Sequence, residues 1–346
     1  MVHNLDPFLW QISGEFGIRW YGLAYLAGFI CAYLVINKLA STSRAQIPVR
    51  LVSDFITFGA LGVMIGGRLG YVFFYSPDLI TKFKTEFPYW GVLAVNEGGM
   101  ASHGGMIGLV IACLLFARAN KVSALHLFDL VSLTGPIGIF FGRIANFING
   151  ELVGRVCDPD FPLGVKFPSD INLWPTQNPE KLKDLTVVIE KLNVSREQWL
   201  GWVDQFRFQS QARDGVYNTL SQIIHAIQDG NLAVQEALAP LLTARHPSQL
   251  YAALGEGLIL FMCLAIIWYK PRKPGIIGAS FVIIYALVRI IDEHFRMPDA
   301  HIGYEILGLT RGQLLSSAML LIGISMLVFW GRRHTTAIGG WGKPYN

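Results

Sequence analysis

Residues Phe140–Arg155 read FFGRIANFINGELVGR, and this stretch decides the fold. It begins as apolar as a membrane helix and then places Arg143, Asn146, Asn149, Glu151 and Arg155 in quick succession. An arginine at the centre of a spanning helix costs about 2.5–3.5 kcal/mol on insertion scales, so it normally faces a cavity, a partner or a ligand. On a helix Arg143, Asn146 and Gly150 recur at i, i+3 and i+7 and share one face. The stretch therefore reads as the end of a spanning helix with one polar side.

The rest of the chain fits a membrane setting. Of its 346 residues 52% are hydrophobic and 15% charged, against roughly 25% charged in soluble proteins, and the mean hydropathy is +0.42. A spanning helix needs about 20 mostly apolar residues. Seven runs approach that: Trp20–Ile36, Phe55–Tyr75, Gly104–Ala117, Leu125–Ile148, Leu250–Tyr269, Gly275–Ile291 and Gln313–Trp330. Cations gather in alternate loops, at Lys38, Arg44 and Arg50, at Arg118 and Lys121, at Lys270, Arg272 and Lys273, and at Arg332 and Arg333. The positive-inside rule makes those ends cytoplasmic, with the N-terminus outside and the C-terminus inside, on the opposite sides that seven spans require.

The expected fold is an all-α integral membrane protein with seven transmembrane helices, a periplasmic N-terminus and a cytoplasmic C-terminus. Residues 1–346 form a single polytopic membrane domain, and 151–248 a periplasmic head insertion between the fourth and fifth spans. The insertion is polar and carries Pro159, Pro162, Pro168, Pro175 and Pro179, while Lys181–Ala239 shows helical spacing within it. The N-terminal MVHNLDPFLWQISGEFG lacks a basic stretch before an apolar core and is not read as a cleaved signal peptide. Cys31, Cys113 and Cys263 fall inside spans as small apolar residues, leaving Cys157 alone outside. No metal-ligand spacing appears, so neither a disulfide nor a metal site is expected.

Other polar residues interrupt the apolar runs. Arg68 sits in GALGVMIGGRLG, where Gly59, Gly62, Gly66 and Gly70 have the spacing of close helix packing. In the sixth span Tyr285, Arg289, Glu293 and Arg296 form a second stripe, although Arg289 and Glu293 at i, i+4 also suit an ion pair. Two such stripes predict a wet or headgroup-filled cavity, and the planar fork of arginine suits a phospholipid phosphate. EGGMASHGG, at 97–105, places His103, a residue type suited to general-base work, among glycines that let backbone approach a ligand. RHPSQLY, at 245–251, reads either as a helix start or as a further cation near the cavity mouth.

Taken together, these motifs resemble the bacterial phosphatidylglycerol–prolipoprotein diacylglyceryl transferases. GRIANFINGELVGR looks like the family signature, and WYGL at 20–23, HGG at 103–105, RHPSQLY and RIIDEHFRMPDA at 289–300 resemble its other motifs in the same order. The resemblance covers most of the chain apart from the head. It implies transfer of the diacylglyceryl group of phosphatidylglycerol to the lipobox cysteine thiol of a preprolipoprotein, forming a thioether and releasing glycerol phosphate. It further implies no cofactor or metal, phosphatidylglycerol and lipobox signal peptides as partners with no nucleic acid, and a multi-pass protein of the bacterial plasma (inner) membrane with its site toward the periplasm.

The residues implicated as catalytic are His103, Arg143, Arg289, Tyr21 and Asn146. Arg143, Asn146, Glu151, Gly154, Tyr285, Arg289, Glu293 and His246 are implied for substrate binding, and Arg68 joins them on its position inside a span. The chain departs from the family pattern at Ala252, where an acidic residue is common, and in a head segment, roughly 166–245, longer than usual. The competing reading is an anion or lipid transporter with an arginine-lined cavity. Its marks are an inverted repeat and polar residues continuing through the cytoplasmic half, and neither is evident in the sequence.

Overall fold

The computed structural model describes residues 1–13, 16–95, 98–192, 194–297 and 308–341. Glu97 of EGGMASHGG and residues 298–300 of RIIDEHFRMPDA lie outside the described residues. The chain opens with an antiparallel hairpin, β1 (Phe8–Ser13) and β2 (Phe16–Arg19). No period-2 pattern marks this hairpin, because Leu9, Trp10, Ile12 and Ile18 are all exposed rather than alternating into a core. Four long helices follow: α1 (Trp20–Ser41), α2 (Val52–Phe74), α3 (Ser102–Asn120) and α4 (Ala124–Ile148).

The insertion holds strand β3 (Val165–Lys166) and helices α5 (Trp174–Gln177), α6 (Thr186–Ile189), α7 (Arg196–Gln205), α8 (Ser210–Gln228) and α9 (Leu232–Leu238), and ends in strand β4 (Ala244–Arg245), which pairs with β3. Beyond it α10 (Ser248–Ala252), a π-helical stretch (Ala253–Ile259) and α11 (Leu260–Trp268) make one continuous helix, followed by α12 (Ile276–Asp292) and α13 (Arg311–Arg332). Among the described residues six helices are long and apolar enough to cross a membrane: Trp20–Ser41, Val49–Phe74, Ser102–Asn120, Ala124–Ile148, Ser248–Trp268 and Arg311–Arg332. Each coincides with an expected span. The remaining expected span is α12, 17 residues long.

The chain divides into two compact units: Met1–Ala24, Phe140–Gly255 and Arg289–Leu314 form one, and Tyr25–Ile139, Glu256–Val288 and Leu315–Asn346 the other. The first contains the inserted helices, which close over Trp199, Leu185, Val216, Leu220 and Ile223, all fully buried. The helical spacing read over Lys181–Ala239 therefore marks a real apolar core. Ser195 and Asn231 cap α7 and α9, accepting from the N–H groups of Gln198 and Val234.

The second unit has an apolar core of Ile36, Leu39, Phe55, Phe116, Leu127 and Leu264. Asp129, 2% exposed, is paired within it: its carboxylate accepts from the N–H of Gly275 at 2.7 Å and of Gly278 at 2.8 Å, satisfying the start of α12. The helices α2 and α3 cross at their glycines. A Cβ on Gly108 would lie 2.9 Å from both Gly62 C and Gly66 Cα, and one on Gly70 2.7 Å from Gly104 Cα. The glycines of HGG thus serve helix contact, where the sequence suggested room for a ligand. Gly108→Ala is expected to force these backbones apart and destabilise the protein by about 1–3 kcal/mol. Gly135→Ala, which meets open space, should leave the thermal unfolding midpoint in detergent unchanged or raised; equal midpoints for the two variants would refute the packing account.

Candidate active site

The site elements of the first unit gather where α4 ends. Asn146 is buried and Arg143, one turn earlier, half-buried. The helix terminates through Gly150, whose φ of +63° suits glycine at a left-handed cap, and Glu151 N–H reaches back to Asn146 O at 3.1 Å. That reversal folds the Glu151 carboxylate onto the polar face of the helix. Its Oε1 accepts from Asn146 Nδ2 at 2.9 Å and from the Tyr21 hydroxyl, and Asn146 Nδ2 also donates to the Tyr21 oxygen. Three expected site residues, from the start of α1, the end of α4 and the turn after it, thus meet around one carboxylate. The resemblance implied substrate binding for Glu151, but nothing in the sequence showed that Tyr21 and Asn146 would meet on its carboxylate.

The chain next passes between two other segments, joined to each by an isolated β-bridge. Gly154 bridges Arg296, and Val156 bridges Arg245. Gly154 N–H donates to His246 O at 3.1 Å and Arg155 N–H to Phe295 O at 2.8 Å. His246 contributes its backbone here, while its ring packs with Phe161, Phe295 and Tyr251 at centroid distances of 5.0, 5.3 and 6.0 Å.

The Arg289 stripe is an ion-pair network. The guanidinium lies 3.3 Å from Asp292 and 3.0 Å from Glu293, whose Oε1 accepts from Thr310 Oγ1 at 2.9 Å. The i, i+4 pair was legible in the sequence; Asp292 and Thr310 were not singled out. Arg245 forms a second buried pair with Asp170, 2.5 Å apart. Burial pushes the Asp170 carboxyl up, against the lowering effect of the arginine.

Three expected site residues belong to the other unit. Arg68 is buried and donates to four carbonyls, Val92 at 2.8 Å, Gly91 at 2.7 Å, Gly98 at 2.6 Å and Gly99 at 3.0 Å. It pins the loop before α3, giving four of its five N–H groups to backbone carbonyls. His103 stands exposed in the first turn of α3, and Tyr285 stacks on Phe281 at 5.8 Å within α12. Sequence reasoning also passed over Glu256, wholly buried in the π-helical stretch, although a carboxylate inside so apolar a run is itself a signal.

His3 closes the site from the N-terminus. Its Nε2–H donates to Phe147 O at 2.7 Å, and its ring packs on Phe147 and Phe167. Burial lowers its pKa from the ordinary 6.5, the bond to Phe147 opposing this. The folded ring therefore binds a proton less readily than the unfolded one, and stability should fall as pH drops below 6.5. His3→Gln, which keeps a donor for Phe147, is expected to flatten that acid-side loss in thermal unfolding scans across pH. Parallel pH profiles for the two proteins would sink this account.

Long apolar helices and a polar, arginine-bearing cluster at the end of one of them define an integral membrane protein with a built polar site. Residues 7–329 match the sequence profile of the prolipoprotein diacylglyceryl transferases. A phosphatidylglycerol–prolipoprotein diacylglyceryl transferase of Bdellovibrio bacteriovorus is 63% identical over 346 residues, spanning 100% of this chain and 98% of that relative. Those of Bradyrhizobium diazoefficiens and Rhodospirillum rubrum are each 36% identical, over 92% and 97% of this chain and 90% and 96% of theirs. The chain belongs to the prolipoprotein diacylglyceryl transferase family, and is a membrane transferase.

Proposed function

We propose that this protein transfers the diacylglyceryl group of phosphatidylglycerol to the lipobox cysteine thiol of preprolipoproteins, the first step of lipoprotein maturation. The structural observation that carries the site assignment is the convergence on Glu151 of Tyr21 and of Asn146, which lies one turn beyond Arg143 on α4. In the membrane arrangement we favour, α12 also crosses and is the sixth of seven spans: 17 residues rise about 25 Å, at the short end of spanning lengths. The cationic loops then face the cytoplasm, the N-terminus and the 151–248 head face the periplasm, and residues 1–346 act as one polytopic domain of the plasma membrane.

A free thiol, with a pKa of about 8.5, is only a few per cent thiolate at neutral pH. His103 takes the thiol proton, an assignment that rests on its motif and residue type. The thiolate attacks the glycerol carbon bearing the phosphate ester; the C–S bond forms as the C–O bond breaks, and its electron pair leaves on glycerol phosphate. Arg143 and Arg289 hold the phosphate and balance the charge gathering on it. Asp292 and Glu293 fix the direction of the Arg289 fork, while Tyr21, Asn146 and Tyr285 orient the headgroup. The scheme uses no cofactor.

Purified protein incubated with phosphatidylglycerol and a cysteine-containing lipobox peptide should yield, by mass spectrometry, peptide bearing the diacylglyceryl mass together with free glycerol phosphate. Lipid movement across vesicles without that product would favour the transporter instead.

A further inference from the structure

The turn that carries Glu151 is held by side chains from distant parts of the chain. Between Phe147 and Gly154, five main-chain carbonyls accept from side chains elsewhere in the chain. His3 reaches Phe147 O at 2.7 Å, Ser169 Oγ reaches Gly150 O at 2.7 Å, Gln249 Nε2 reaches Glu151 O at 2.6 Å, Ser248 Oγ reaches Leu152 O at 3.0 Å and Arg245 Nη1 reaches Gly154 O at 3.3 Å. Three of these donors come from RHPSQLY. The turn needs them because it is neither helix nor sheet: φ is +63° at Gly150 and +51° at Leu152. A non-glycine residue held at such an angle is strained and persists only where its surroundings over-determine it.

We propose that Gln249 is a positioning residue for the transfer reaction, fixing the Glu151 backbone and through it the carboxylate on which Tyr21 and Asn146 converge. The inference rests on the function proposed above. Gln249 is 2% exposed and so acts through Glu151, whose side chain is exposed. The orientation of its amide is set by the Glu151 carbonyl, which accepts only from N–H. Its Oε1 is buried without a partner among the described residues, an arrangement that leaves its desolvation uncompensated. A methionine of similar length would fill the space without that penalty. The amide is therefore explained by its donor, not by packing.

The test is Gln249→Met in the full chain, assayed with phosphatidylglycerol and a lipobox peptide beside thermal unfolding. The expected result is a fall in kcat of about 10- to 100-fold, the cost of a misplaced group, with KM for phosphatidylglycerol and the unfolding midpoint held. In a Glu151→Gln background the same change should add less than about twofold, because coupled residues are not additive. A residue with only a structural role would instead lower the midpoint and multiply its effect on top of Glu151→Gln. Should Gln249→Met fail to accumulate, Ser248→Ala, which removes the one donor to Leu152 O, decides by the same non-additivity. Unimpaired kcat in Gln249→Met, or multiplicative losses in either variant, overturns the proposal alone. No thioether from the unmodified protein overturns the function reading and this inference with it.

Discussion

Arg143→Ala is expected to lower kcat/KM by about 10²–10³-fold, the usual loss when one preorganised stabiliser of developing charge is removed. Arg143 is half-buried on the face of α4 that carries Asn146, in an apolar segment where a cation is retained only for a partner or ligand. The phosphate gains charge as its C–O bond to the glycerol breaks, so loss of the guanidinium should weigh on the chemical step as well as on lipid binding. Arg143→Lys should recover only part of the activity, since a single ammonium cannot reproduce the bidentate fork. His103→Gln separates the second role: removing a general base is expected to cost about 10²-fold or more, with the loss shrinking as pH rises and the peptide thiol ionises unaided. If His103→Gln turns over normally while Arg143→Ala does not, the base assignment falls and the phosphate assignment stands. Normal turnover by Arg143→Ala removes the phosphate assignment.

The apolar spans were legible because membrane crossing is written residue by residue in composition, and the expected runs lie on the observed helices to within a few positions. The Arg289–Glu293 pair was legible for a similar reason: both residues lie on one helix, where spacing fixes proximity. Contacts between distant segments were not. Nothing local in WYGL shows that Tyr21 would meet Glu151 across 130 positions, or that Ser169, inside the long insertion, would hold the carbonyl of Gly150. Arg68 shows the same limit from the other side. Its cost inside a span was read correctly, but the carbonyls that offset it belong to a loop 23 to 31 residues further on. RHPSQLY was read as a helix start or a further cation near the cavity mouth, and its spacing did not show that Arg245, Ser248 and Gln249 make side-chain bonds to the signature turn.

Gly154→Ala should leave little or no measurable transfer activity, the largest effect expected of any single methyl group here. Gly154 lies between two neighbouring segments of backbone: its N–H donates to His246 O at 3.1 Å, its carbonyl accepts from Arg245, and a Cβ would stand 2.7 Å from Phe295 O and 3.0 Å from His246 Cβ. The obstacles are backbone atoms and a Cβ, so no flexible side chain can swing aside. The backbone must move instead, stretching the hydrogen bond to His246 and drawing on the turn that begins at Glu151. Overpacking of this kind costs about 1–3 kcal/mol, which a folded membrane protein can survive. A displacement of about 1 Å in a catalytic constellation is enough for a 10²-fold loss of rate, and here it reaches the carboxylate shared by Tyr21 and Asn146. The expected signature is a protein that still purifies and unfolds cooperatively at a modestly lower temperature, yet forms almost no thioether. Gly142→Ala, where a Cβ meets open space, should keep its unfolding temperature. Unfolding and activity losses that track each other across further substitutions at 154 would show that instability, and not displacement of the Glu151 turn, removes the activity.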